Sequence, residues 1–169
     1  DQSTQGTVTV ADPQADIPSP VTVNLVAEAR FPADQAGVTN PALASSARPD
    51  YPLVVCVHGN GHNFGNYTYL LEHWARNGFI AASILLNGGM AGEGRARVLF
   101  KHIEILKAKF GSRMQNRIGI MGHSRGGEGV VSAARLNAPP GPNHGIQAIV
   151  SLGPTDQYTH EILGGAWAT

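Results

Sequence analysis

The sequence predicts an α/β fold, a mostly parallel sheet with helices on both faces. Two observations point that way. From Tyr51 onward, short unbroken apolar runs alternate with longer helical patterns, as strands buried on both faces and their covering helices do. Two of those runs end in glycine-rich turns, "VHGNGH" at residues 57–62 and "GHSRGG" at residues 122–127.

The elements follow in order. Residues 1–20 are rich in Gln, Thr, Asp and Pro with one alternating patch, "TVTV", which predicts an edge strand and then a loop. "VTVNLVAEARFP" alternates apolar and polar residues until Pro32, as a half-buried strand does, and residues 32–50 read as a long surface loop. Three buried strands are predicted at "YPLVVCVHG", "FIAASILL" and "RIGIMGH", and a fourth at "IQAIVSL". Between them, "NYTYLLEHWARNG" is a helix stopped by Asn77-Gly78. The stretch Arg95 to Phe110 sets Val98, Leu99, His102, Ile103, Leu106 and Phe110 on one apolar face and ends at Gly111. "EGVVSAARLN" continues as a helix after the serine, and "APPGPNHG" breaks it. No internal repeat or linker divides the chain. Residues 1–49 are expected to form N-terminal antiparallel strands and a loop of the same domain whose core is residues 50–169.

The 169 residues are 42% hydrophobic, enough for one domain with a useful core. Twelve Lys and Arg balance twelve Asp and Glu, and only 14% of residues are charged, so nothing favours a nucleic acid or an anionic membrane as partner. No apolar run approaches the roughly 20 residues of a membrane helix. The chain starts at Asp1 without an apolar leader, which fits a trimmed chain or a mature secreted or periplasmic protein, soluble in either case. Cys56, the single cysteine, reads as a buried structural thiol and leaves the redox compartment open.

Gly122-His123-Ser124-Arg125-Gly126 fits G-x-S-x-G, directly after a predicted strand and before a predicted helix. In that context the serine sits on a sharp turn that only small neighbours permit, and the following helix aims its N-terminal N–H groups at negative charge formed there. The glycine-rich strand end at His58-Gly59-Asn60-Gly61 suits the second feature acyl transfer needs, backbone donors fixed around a developing oxyanion.

With "GHSRGG" as nucleophile elbow and "HGNG" as oxyanion strand end, residues 50–153 resemble the alpha/beta-hydrolase superfamily. Within it the elbow looks most like the esterase branch of chlorophyllase-like enzymes, dienelactone hydrolases and bacterial polyester hydrolases. The resemblance implies strands three to six of the family's sheet, Ser124 as nucleophile, and the backbone N–H groups of Asn60 and Arg125 as oxyanion donors. It implies an ester substrate, no cofactor and no metal.

The family's order is nucleophile, acid, then histidine on later strands. After Ser124 only Asp156, His144 and His160 are available. His144 precedes the last predicted strand, at the end opposite the active edge. Asp156 fits an acid placed after the sixth strand or a turn aspartate, and with His160 four residues on it would make only an atypical dyad. His123 is the elbow's variable position, His102 lies on an apolar helix face, and His73 lies in the first helix. His58 and His62 flank the oxyanion turn as pocket-lining residues, and no spaced third ligand supports a metal there. Glu128 reads as a favourable charge at a helix start, paired with Arg125. The family's domain runs to on the order of 250 residues, so the sheet is expected to be cut after strand six, with strands seven and eight, the acid and the histidine on a separate C-terminal segment or chain. The leading expectation is a serine ester hydrolase. The alternatives are a non-catalytic truncated or degenerate hydrolase domain acting as a binding or assembly module, and a serine acyltransferase or peptidase of the same fold.

Overall fold

A computed structural model of the chain describes residues 2–12, 18–35, 41–44 and 48–155. The described strands are β1 (Gln2–Val10), β2 (Val21–Arg30), β3 (Tyr51–Val57), β4 (Ile80–Ile84), β5 (Met114–His123) and β6 (Ile146–Leu152). The helices are α1 (Thr68–Arg76), entered through a 3₁₀ turn at Phe64–Tyr67, α2 (Gly92–Phe110) and α3 (Arg125–Asn137).

One sheet carries the strands in the order β1-β2-β4-β3-β5-β6. The β4-β3-β5-β6 portion is parallel, while β1 and β2 are antiparallel additions on the β4 side. The two kinds of strand carry the expected patterns. In β2, Val21, Val23 and Leu25 are buried while Thr22 and Asn24 are exposed. Every residue of β4 is buried, as a strand covered on both faces requires.

Period-two alternation separates the two faces of the sheet. Val55, Val57, Ile80, Ala82 and Ile120 belong to the core beneath α2 and α3, whereas Cys56, Ala81 and Met121 pack with Tyr67 and Leu71 of the α1 side. The apolar face of α2 is buried from Val98 to Phe110, and Phe31 meets Phe110 edge to face at 5.2 Å. Helix α1 stops at Asn77, followed by Gly78 at φ +83°. At the far edge of the sheet, Ile149, Val150 and Leu152 of β6 remain nearly half exposed. Among the described residues, no helix is long and apolar enough to cross a membrane.

Several boundaries differ from the sequence reading, β5 starting at Met114 and α3 at Arg125, and two of the differences have long-range causes. Strand β1 begins at Gln2 rather than at the "TVTV" patch, because pairing with β2 continues to Gln2↔Glu28 across a register shift. Helix α2 begins at Gly92, before Arg95. Its N-cap residue, Ala91, has no side chain able to cap, and the Asp12 carboxylate accepts the Ala91 N–H at 3.0 Å instead.

His102 is buried on α2, and its Nε2 finds no hydrogen-bond partner. Burial drives its pKa down to about 4. A histidine in the unfolded chain titrates near 6.5, so between about pH 6.5 and 4 the unfolded state binds a proton that the folded state refuses. The stability contributed by neutral His102 is therefore present above pH 6.5 and lost as pH falls towards 4, by about 3 kcal/mol. Burial moves His58 and His144 in the same direction. Urea unfolding at pH 7 and pH 4.5 is expected to show a large stability difference that shrinks in His102→Leu; an unchanged difference would contradict this assignment.

Candidate active site

The end of β5 delivers Ser124 onto α3 through one residue of unusual backbone. Ser124 has φ +56° and ψ −122° and is one of two described non-glycine residues with positive φ. Such a conformation costs on the order of 1–3 kcal/mol and persists only where the surroundings impose it. Here its N–H donates to Leu152 O at 2.9 Å, and its carbonyl accepts from Glu128 N–H at 3.2 Å and Thr155 N–H at 3.3 Å.

Backbone crowding does the rest. A Cβ on Gly122 would lie 2.0 Å from Gly126 O, and one on Gly126 would lie 2.0 Å from Val57 O. The turn is thus wedged between the first turn of α3 and the end of β3. Beneath it, a Cβ on Gly59 would lie 2.9 Å from Ser124 Cβ, so the glycine-rich end of β3 and the serine are in direct contact. Ser124 is partly exposed.

Asn60 is exposed on that strand end, and its side-chain oxygen accepts from Arg95 Nη2 at 3.0 Å. Arg125 opens α3 and is mostly buried, its Nη1 donating to Gly88 O at 3.4 Å. Glu128 is buried in the first turn of α3, where its Oε2 accepts from Thr155 Oγ1 at 3.0 Å.

The described histidines divide by environment. His58 is buried with both ring nitrogens engaged: Nε2 accepts Leu86 N–H at 3.0 Å, which leaves Nδ1 as the protonated nitrogen, donating to Gly59 O at 2.8 Å. Burial lowers its pKa further, so the ring is a neutral structural tie and has no nitrogen free to act as a base. His62 and His123 stack with centroids 5.4 Å apart at the rim of the site, and His62 Nδ1 lies 3.4 Å from Tyr67 Oη. His144 lies just before β6, packed on Phe100 at 4.8 Å. His102 faces the core, and His73 lies in α1. Among the described residues no side chain is hydrogen-bonded to the Ser124 hydroxyl, and no group of three or more His, Cys, Asp or Glu is placed to hold a metal. Asp156 and His160 lie outside the described residues.

Sequence reasoning missed Arg95 as a site residue. It opens the apolar stripe 95, 98, 99, 102 yet is only 1% exposed. A cation at a stripe position was the available signal.

No family model and no curated protein matches the sequence. Solved structures do. The fold is similar to that of Bacillus licheniformis lipase BlEst2 in its mature form, with a TM-score of 0.53 and 21% identity over 76% of this chain and 46% of that one. The propeptide form of the same lipase gives 0.53 and 20% over 76% and 25%. A Paleococcus ferrophilus monoacylglycerol lipase gives 0.51 and 20% over 78% and 44%. The chain therefore shares the sheet-and-helix fold of these lipases and spans less than half the length of each.

The steric account of the turn is testable without any substrate. Gly126→Ala is expected to lose about 3 kcal/mol or more of unfolding free energy, since neither facing carbonyl can yield cheaply. Gly88→Ala, whose added carbon meets nothing nearer than 4.0 Å, is the matched control and should stay within about 1 kcal/mol of the parent. Equal denaturation midpoints for the two variants would refute it.

Proposed function

We propose that the chain carries the nucleophile half of a serine hydrolase acting on carboxylic esters. One observation bears most of the weight: Ser124 is held at φ +56° between a buried strand and a helix N-terminus, with its side chain against the Gly59 strand end. In this reading Ser124 Oγ attacks the ester carbonyl while its proton passes to a histidine base. The carbonyl oxygen becomes an oxyanion received by the backbone N–H groups of Asn60 and Arg125. Collapse expels the alcohol, which takes the proton from the histidine. Water then attacks the acyl-enzyme by the same route, releasing the acid and restoring the serine.

No described histidine has this geometry, so the base and its acid belong to residues outside those described. Asp156 is one candidate for the acid. The nearly half-exposed apolar residues of β6 support a further segment or a complementary C-terminal polypeptide adding to that edge. A balanced, weakly charged surface suits a neutral ester, and a secreted or periplasmic place of action belongs to the same proposal.

A second reading, a non-catalytic binding or assembly module, draws on the same observation that no side chain among the described residues is hydrogen-bonded to the Ser124 hydroxyl. An acyltransferase or peptidase would use the same nucleophile and differ only in the acceptor or the scissile bond. A serine-directed fluorophosphonate separates the first two, because it labels only an activated serine. The intact protein is expected to be labelled at Ser124 and to hydrolyse a chromogenic short-chain ester, with Ser124→Ala abolishing labelling and lowering kcat on the order of 10⁴-fold or more. Turnover that survives Ser124→Ala would reject the proposal. Native mass spectrometry of the active species checks the partner: a companion polypeptide, or a single chain that includes the acid and histidine, is expected.

A further inference from the structure

The ester-hydrolase reading assigns roles to Ser124, Asn60 and Arg125 but none to the buried guanidinium behind them. Arg95 projects from the first turn of α2, and its donors are spent on two loops. Nη1 donates to His58 O at 3.1 Å and Nη2 to the Asn60 side-chain oxygen at 3.0 Å, both on the β3 strand end. Nε donates to Met90 O at 3.0 Å, and Nη2 also reaches Gly88 O at 3.2 Å, both in the loop between β4 and α2. His58 adds a second tie between the same loops through Leu86 N–H.

These contacts fix peptide planes. In a planar trans peptide the carbonyl and the following N–H point in opposite directions, so anchoring one aims the other. His58 O is anchored by Arg95, which sets the Gly59 N–H. Gly59 O is anchored by His58 Nδ1–H at 2.8 Å and by His62 N–H at 3.4 Å, which sets the Asn60 N–H. The Asn60 side chain is held by the same guanidinium, so the residue is gripped on both sides of that amide. The root of the Arg95 side chain is immobilised in turn, because α3 passes so close that a Cβ on Gly129 would lie 2.9 Å from Arg95 Cβ. A lysine cannot substitute: an ammonium offers three donors at one point, whereas the guanidinium spreads five over a rigid plane and serves two loops at once.

We propose that Arg95 is a positioning residue, whose guanidinium holds His58–Asn60 against the 87–90 loop and thereby aims the Asn60 N–H at the oxyanion formed on Ser124. The role rests on the hydrolase reading above. It predicts an effect on the transition state rather than on substrate binding, since the oxyanion exists only there.

The test compares the intact wild-type protein with Arg95→Lys on a chromogenic short-chain ester, on an alkyl boronic acid that mimics the tetrahedral adduct, and by hydrogen–deuterium exchange. In Arg95→Lys, kcat is expected to fall about 10- to 100-fold with KM within about threefold, and boronate affinity to fall in parallel. Exchange should quicken in residues 57–62 and 86–90 and stay unchanged in β5 and the body of α3. A kcat loss accompanied by faster exchange throughout β5 and α3 would overturn the positioning role in favour of a general structural one. An active, phosphonate-labelled wild type with an Arg95→Lys variant equal to it would overturn this role alone, whereas a wild type without turnover or label would overturn the hydrolase reading and this role with it. If Arg95→Lys fails to fold, Asn60→Ala removes a single tie and leaves the backbone donor; it should still lower kcat severalfold at unchanged KM, and unchanged kcat would count against the proposal.

Discussion

The site depends on how β3 and β5 run side by side. They are parallel, with Cys56 opposite Met121 and Val57 opposite Gly122, so extending that register past both strand ends sets Gly59 opposite Ser124. Two backbones leaving a sheet in register, one into a loop and one into a helix, approach more closely than any side chain allows. The hypothetical 2.0 Å contact of Gly126 with Val57 O and the 2.9 Å contact of Gly59 with Ser124 are expressions of that approach, and the 2.0 Å contact of Gly122 with Gly126 O adds the tight fold of β5 into α3. Gly59, Gly122 and Gly126 are the sequence-level imprint of this crowding, and the serine's strained φ accompanies it.

Behind this contact lies a set of buried polar groups that would be costly without satisfied partners. Arg95 carries a full charge into the interior, and several of its donors meet backbone carbonyls that would otherwise be desolvated at loop ends. Asp12 sits nearby, buried, its Oδ2 on the Ala91 N–H and its carboxylate so close to α2 that a Cβ on Gly94 would lie 2.2 Å from it. Burial raises its pKa, while the Ala91 N–H and the Arg95 charge act against that rise. A carboxylate at a helix N-terminus is favourable on dipole grounds as well. The end of β1 is thereby fastened to the start of the helix that carries Arg95, which links the antiparallel edge of the sheet to the strand end under Ser124.

What the sequence made legible was local or periodic. The unbroken apolar runs of β3, β4 and β5 mark strands buried on both faces, and the spacing of Val98, Leu99, His102, Ile103, Leu106 and Phe110 gave the buried face of α2. The elbow was legible because its glycines and serine are contiguous. What escaped were features made by distant partners. The start of α2 depends on Asp12, 79 residues earlier in the chain. The role of His58 depends on Leu86 N–H, 28 residues later, so the residue type suggested a pocket lining where the fold makes a tie. Arg95 stood only as the start of the helical stretch; its place on the apolar stripe marks it as buried, but the carbonyls it reaches lie on two loops that no local pattern brings together.

Ser124 also occupies the N-cap position of α3, where serine is among the favoured residues. An ordinary N-cap serine has extended backbone, and its hydroxyl folds over the helix to accept an N–H of the first turn. Ser124 does neither: its φ is positive, and its side chain makes no capping bond. The helix thus forgoes roughly 1 kcal/mol of capping in addition to the strain of the turn. Keeping the hydroxyl off the helix leaves it partly exposed beside the Gly59 strand end and above a helix N-terminus whose partial positive charge favours an anion. The uncapped serine is therefore the feature of this turn that most supports the proposed chemistry at Ser124 Oγ.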